Sequence, residues 1–550
     1  MEETRREYYE KRKTALFLER SSFIPHYQEL SRFIQPRMGR FFADDVNQGG
    51  KRHQSIINST GTQAHRASRA GLFAGIMSPA RPWFNLMTPD PDMMGYQPVL
   101  EWLGKVEALL NAIFQASNLY NMAPVLLGEL LLFGTGSMSQ VDDYDSVCRF
   151  YTHTAGSYAL AQNDKYQVDT FVREFKMSAR QMKSQFGDNV SDYVDRACDQ
   201  GNYEQLFDVV HFVEPNSGNG MPWRSVYYEP GARKEDDLLS VKGFHEFPVH
   251  CPRWDVTAED TYATDCPAMT ALGDIKGLQQ MEREKAKAIQ KMVSPPLRGP
   301  SSLRNVPISS LPGGATLYDG GEANGKLEPI YTVMPQLQQM VLAMEHTEHR
   351  IKEAFYVDLF RSIDSMEGIQ PQNQLFLSMK NAEKLLQLGP VLERLHGEFL
   401  NRLIDRTFAQ CVRADILPPP PPELQGKVLK TRYVSALAMA QREVATQGID
   451  KLTMFIGGLL QAGFGSAADN FDADDAVRVY AQSVGAPPKV IVDERKVADI
   501  RAKREQEAQQ ARQMAMMQQM AGAAQQGAGA VSDLAGAAAT MMPQQQGPGP

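Results

Sequence analysis

The chain lacks the features that mark most enzymes and most nucleic-acid binders. Its 550 residues hold five cysteines, Cys148, Cys198, Cys251, Cys266 and Cys411. They are scattered, odd in number and never spaced as Cys-x-x-Cys, so neither a disulfide framework nor a zinc site is supported and inert thiols are expected. There is no basic excess: 57 Lys and Arg stand against 65 Asp and Glu, a formal net charge of −8. Proteins that grip nucleic acid gain much of their affinity by neutralising phosphates. Tight DNA binding through bulk charge is therefore excluded, whereas weak contact through a few basic side chains is not. No window approaches the about 18 consecutive apolar residues of a membrane span. The most apolar run, 124–133, is too short and contains Glu129. The charged start, 1–13, lacks the apolar core of a secretion signal, so a cytoplasm-like workplace is expected.

Catalytic signatures are also missing. Residues 320–327 place Gly320, Gly325 and Lys326 at the spacing of a phosphate-binding loop. The next residue should be Ser or Thr to hold magnesium, but it is Leu327, and Pro329 follows where a helix should begin. The segment reads as a hairpin or loop turn. Gly134 and Gly136 form a second glycine-rich turn that is weak evidence alone. His346 and His349, beside Glu345 and Glu348, have no third ligand nearby and read as a solvated helix face. No Gly-x-Ser-x-Gly or His-Glu-x-x-His occurs. Neither a catalytic residue, a metal nor a cofactor is expected.

What the chain does have is two long helical patterns around a compact insert. The first runs over 268–293 and stops at Pro295-Pro296; the second starts after Pro335 and continues to Leu359. Between them, 294–335 is rich in Pro, Gly and Ser, with β-like pieces at 315–318 and 329–333. This is the layout of a rod with a small domain at its tip. Arg283, Lys285, Lys287 and Lys291 punctuate the first rod helix, alternating with Glu282 and Glu284. The bland reading is a solvated face with weak local ion pairs; the functional one is a sparse basic band that a phosphate backbone could brush past.

Around the rod, 2–35, 58–77, 98–117 and 122–133 read as helices, and 147–151, 168–175, 207–213, 225–228 and 239–247 as strands. A helix over 178–186 carries a capping-box pattern, Ser178 and Gln181. Residues 361–374 read as a loop. A helix over 375–416 must kink at Gly389-Pro390, a five-proline spacer fills 418–422, and 428–434 is a strand. Helices are expected over 441–460, 474–483 and 493–520. The Gly/Ala/Gln-rich end has few reasons to fold alone.

Several of these segments, taken in order, resemble the head-to-tail connector (portal) proteins of short-tailed double-stranded DNA phages. They are 68–84 (SRAGLFAGIMSPARPWF), 168–187 (VDTFVREFKMSARQMKSQFG), 281–297 (MEREKAKAIQKMVSPPL), 350–360 (RIKEAFYVDLF) and 389–408 (GPVLERLHGEFLNRLIDRTF). The polyproline run and Tyr433–Ala438 complete the set. Two departures stand out: 368–374 lacks the family's Thr/Glu-rich character, and Ala436 stands where proline is common.

The resemblance implies an α+β, mainly helical portal fold that is not an enzyme. Its expected parts are a wing (1–267), stem helices (268–293 and 336–360), a clip (294–335) and a tunnel loop (361–374). A kinked helix with a wing strand (375–440), crown helices (441–520) and a disordered tail (521–550) follow. It implies a ring, usually of twelve subunits, at the portal vertex of the virion, assembled in the host cytoplasm and carrying double-stranded DNA during packaging and ejection. The implied partners are the terminase large subunit, which brings the ATPase, the tail adaptor, and the major capsid and scaffolding proteins, with no membrane. Channel-facing candidates are Arg283, Lys285, Lys287, Lys291, Arg350, Lys352, Arg361, Gln370 and Gln372. A mildly acidic ring with scattered cations would repel DNA more than it grips. The rival readings are another head–tail adaptor ring and a nucleotide-dependent DNA enzyme.

Overall fold

The computed structural model describes residues 5–293 apart from 42–49, 51, 81, 89–95, 219, 232–237 and 258. It also describes 297–298, 328–329, 337–364, 388–424, 430–433 and stretches within 452–464, 471–477 and 497–516. The fold is α+β and mostly helical. Helices α1 (Arg5–Ser21), α2 (Ile24–Phe33) and α3 (Thr60–Met77) lead to strand β1 (Phe84–Met87) and helices α4 (Gln97–Ala116) and α5 (Leu119–Phe133). Pro25 and Pro98 sit in the first turns of α2 and α4, where a missing backbone donor costs nothing. Gly134 ends α5 at φ 77°, a left-handed cap that a side chain would strain.

Strands β2 (Ser137–Asp143) and β3 (Val147–His153) form a hairpin, joined on the other edge of β2 by β9 (Val249–His250). Strands β4 (Tyr158–Gln162), β5 (Val168–Ser178), β6 (Leu206–Pro215), β7 (Trp223–Tyr228) and β8 (Leu238–Phe244) make a five-stranded antiparallel sheet in that order. Helices α6 (Ala179–Phe186) and α7 (Asp192–Asp199) lie between β5 and β6. Side chains alternate across a pleated strand, and this sheet is covered on both faces. Val172, Val210, Phe212 and Tyr228 pack under Tyr9 of α1, while Phe171 and Val213 pack with Tyr158, Cys251 and Tyr262 on the other face. That is why β6 reads as a nearly unbroken apolar run.

Helix α8 (Pro267–Val293) leads to the antiparallel pair β10 (Leu297–Arg298) and β11 (Glu328–Pro329), then α9 (Leu337–Ala354) and α10 (Val357–Asp364). Helix α11 (Gly389–Leu395), a π-helical turn (His396–Leu400) and α12 (Asn401–Arg413) follow. Strand β12 (Lys430–Tyr433) returns to pair antiparallel with β1, Phe84 opposite Tyr433. The main core gathers Leu30, Leu72, Phe114, Leu127, Phe133, Ile275, Ile351, Phe355, Phe399 and Leu403 from these helices, all buried. α3 lies close to α10 because Gly71 has no side chain: a Cβ there would sit 2.3 Å from Phe360 Cβ.

Most expected elements are present within a few residues of their expected bounds, and the Ser178–Gln181 capping box forms as read. Four differences have physical causes. β1, β2, β4 and α7 were not expected, since their residues are polar or short and their partners are distant in sequence. The second rod helix does not run unbroken: Tyr356 at φ 55° separates α9 from α10. The loop expected from residue 361 is helical as far as Asp364. Helix α11 has Gly389-Pro390 in its first turn, the residues 375–387 before it lying outside the described ones, and an irregularity not expected from the sequence follows about two turns later, in the π-helical turn. The rest of the tunnel loop with Gln370 and Gln372, residues 375–387, the near-miss loop 320–327 and the tail lie outside the described residues, as do most of the clip and crown.

Candidate functional site

α8 and α9 form an antiparallel pair that leaves the core partway along its length. Ala268, Ala271, Leu272, Ile275 and Leu278 of α8 are buried, and after Gln279 no α8 side chain is. On α9, Met344, Thr347 and Ile351 are buried, whereas none of 338–343 is. The outer half exposes apolar side chains: Ile289 (44%), Met292 (48%), Val293 (78%), Val341 (42%) and Leu342 (56%). Clustered apolar exposure of this kind marks a surface that meets a partner.

The pair is locked at its root by amides. Gln279 Oε1 accepts from the backbone N–H groups of Ile57 (2.7 Å) and Asn58 (2.8 Å), and its Nε2 donates to the Asn58 carbonyl (2.9 Å). The Asn58 side chain in turn donates to Glu282 (3.2 Å) and Glu348 (3.0 Å), bridging the two helices. Burial pushes the Glu282 carboxyl up, but the Lys285 ammonium and the Asn58 amide outweigh burial and hold it below its ordinary range.

Carboxylates answer several of the expected channel-facing cations. Lys285 pairs with Glu282 (2.8 Å), Lys287 with Glu284 (3.1 Å), and Arg350 reaches across to Asp274 of α8 (2.7 Å). Arg283 and Lys291 are exposed on α8, and Lys352 is half-buried on α9. Arg361 lies on α10, away from the α8 cations in sequence and element. α8 carries five Lys and Arg against three Asp and Glu, and α9 two against three, so the pair has a net charge of only +1. Exposed pairs contribute at most about 1 kcal/mol each to stability; their larger effect here is to flatten the local field. Sequence reasoning located the basic residues but missed the amide clamp of Asn58 and Gln279, for which no local pattern exists.

Comparison with known proteins bears on the whole chain. Residues 6–492 match the model of the bacteriophage head to tail connecting protein family. The portal protein of Salmonella phage epsilon15 is 41% identical over 542 residues, covering 97% of this chain and 96% of that protein. A probable portal protein of Bordetella phage BPP-1 is 40% identical over 529 residues, covering 94% of each. A solved structure titled "Neck of empty GTA particle computed with C6 symmetry" aligns over 83% of this chain and 98% of its own at 12% identity, with a TM-score of 0.32, too low to bear on the fold. By its family match and by these two near full-length relatives, the chain belongs to the bacteriophage head to tail connecting proteins.

Proposed function

We propose that this chain is the portal vertex subunit of a phage head, many copies closing into a ring through which double-stranded DNA passes during packaging and ejection. The observation that carries this reading is the α8–α9 pair, rooted in the core and apolar on its projecting half. Among the described residues of one chain nothing buries that face; copies set side by side cover it. Repeated around an axis, α8 and α9 are the stem, and the insert over 294–335, held at its base by the β10–β11 pair, is the clip.

The wing is 1–267 with the strand β12 and helices α11 and α12. The tunnel loop follows α10, so it begins after Asp364 rather than at residue 361. The crown is 441–520 and the tail 521–550. The ring docks the terminase large subunit, then the tail adaptor, and helps capsid and scaffolding proteins start the shell. Lys285, Lys287 and Arg350 each have a carboxylate beside them, and Arg283 and Lys291 are exposed, which suits a wall that DNA must slide past.

Deleting 301–326 tests the clip assignment. Rings should still form and terminase should no longer dock; if the deletion dissolves the ring, the insert is part of the assembly contact instead.

A further inference from the structure

The five-stranded sheet holds a cation that no carboxylate among the described residues pairs with. Arg173 of β5 lies directly opposite His211 of β6, on the sheet face that carries Phe171. It is half-buried, its guanidinium carbon lies 3.9 Å from the centre of the Phe175 ring, and its Nη1 donates to His153 Nδ1 (3.1 Å). Its Nε is buried without a hydrogen-bond partner. Burial pushes the guanidinium down from its ordinary value, and only the Tyr227 and Tyr151 hydroxyls stand against that. Burial also keeps His153 and His211 neutral, so neither takes up the charge. A buried charged donor without an acceptor is costly, which marks the place where a further acceptor is to arrive.

A matching anion stands on the neighbouring hairpin, at the end far from Arg173. In the β2–β3 turn the Ser146 N–H and hydroxyl donate to Asp143 (3.1 and 2.7 Å), and Arg149 pairs with Asp143 (3.5 Å). Val147 leaves the turn at φ 66°, where a β-branched residue is uncommon. This stiff turn holds Tyr144 wholly in solvent and Asp145 exposed beside it, neither with a partner among the described residues. Asp145 does not reach Arg173 of its own chain, because β3 from Val147 to His153 spans about 20 Å.

We propose that Asp145 of one copy docks on Arg173 of the next, with Tyr144 laid against the exposed Tyr151. The inference rests on the ring of copies proposed above. A ring closes through a heterologous contact, in which a knob and its socket lie on different surfaces of the same chain. The hairpin tip and the Arg173 recess are such a pair, and Arg and Tyr are the side chains that most often anchor interfaces. One recessed cation with no second Lys or Arg bearing on it fits a single carboxylate, whereas a phosphate backbone is held by several cations.

Native mass of the full chain along a dilution series tests this, with Asp145→Asn, Arg173→Gln and the two together. Asp145 is exposed on a turn, so Asn there leaves the fold intact. Each single change should raise the concentration at which half the chains leave rings by about tenfold, the size of one charge-assisted hydrogen bond. The double change should cost no more than either alone, because both remove the same contact. Rings as stable in Asp145→Asn as in the wild type, or losses that add in the double variant, overturn the contact and leave the ring reading standing. A wild-type chain that forms no rings at any concentration overturns both.

Discussion

Glu398, in the π-helical turn, receives three hydrogen bonds from one residue, Arg253. The Arg253 Nη2 and Nε donate to its Oε1 (2.6 and 3.1 Å) and the Arg253 backbone N–H to its Oε2 (2.9 Å). The guanidinium also donates to Gln162 Oε1 (3.1 Å) and the Tyr166 carbonyl (2.9 Å), so one buried cation ties the five-stranded sheet to the α11–α12 helix. Glu398→Ala strands that cation, and loss of one partner of a buried pair costs about 3–5 kcal/mol. Denaturant unfolding should show a loss of that size, and Arg253→Met with Glu398→Leu should cost less than the single change. A loss under about 1 kcal/mol for Glu398→Ala would show that the pair is not a joint.

Glu129 is fully enclosed, accepting from the Thr154 hydroxyl (2.6 Å) and the Ala155 N–H (3.0 Å). Burial pushes its carboxyl up to about 7, against an ordinary 4.5. A raised carboxyl stabilises the fold fully below pH 4.5, and that contribution fades as pH rises through 7. The whole change is about 3 kcal/mol. Glu129→Gln should flatten the fall in stability between pH 5 and 7; an unchanged slope would contradict the assignment.

Four buried histidines act in the opposite direction. Burial drives His65 down to about 4 and His250 to about 3, and holds His153 and His211 well below their ordinary 6.5. His153 receives a hydrogen bond from Arg173 (3.1 Å), which adds a second reason to stay neutral. Their stabilising contribution is complete above pH 6.5 and is lost as pH falls toward the folded values. Each contributes about 1.4 kcal/mol per pH unit in that window. Four histidines outweigh Glu107 and Glu129, the two carboxyls pushed up to about 7; burial also raises Asp169, Glu229 and Asp405, but by less. Stability should therefore fall steeply below pH 6, with net proton uptake on unfolding. A rise in stability from pH 6 to 5 would refute this ordering.

Gly71→Ala should destabilise by about 1–3 kcal/mol, the cost of overpacking a tight contact. The new methyl meets Phe360, so Phe360→Ala should recover part of the loss when combined with it. Additive losses would mean that the two helices do not press on each other there.

The carboxylates on the helix pair make a separate claim about DNA. Asp274→Asn with Glu284→Gln releases Arg350 and Lys287 from their partners. Retention of DNA by the assembled protein at low salt should rise, and the dependence of log affinity on log salt should steepen by about one or two. No change would mean that these cations do not face DNA.

Much of this was legible in local pattern. The first rod helix, read as 268–293, is described as α8 at Pro267–Val293. The capping box at Ser178 was readable because all its parts lie within four residues. β2 was not, because its buried Ser137, Ser139 and Gln140 are polar and become a strand only against β3 and β9. Gln140 shows why: its Nε2 donates to Thr407 and Gln410 of α12, partners more than two hundred residues away in the chain. The break at Tyr356 was hidden for a similar reason. Nothing in Phe355-Tyr356-Val357 marks a left-handed residue, and Ser68, far upstream, donates to the Phe355 carbonyl there. At the site, the basic residues were visible, but the carboxylates that answer them across helices, such as Asp274 for Arg350, were not.

The central claim is that the projecting half of α8 and α9 is covered by other copies of the chain. Native mass measurement of the purified protein, combined with electron micrographs of the same sample, tests it most directly. The account predicts closed rings with a central channel, and their dispersal when Ile289, Val293, Val341 and Leu342 are changed to Ser. A monodisperse monomer or dimer without a channel would contradict it.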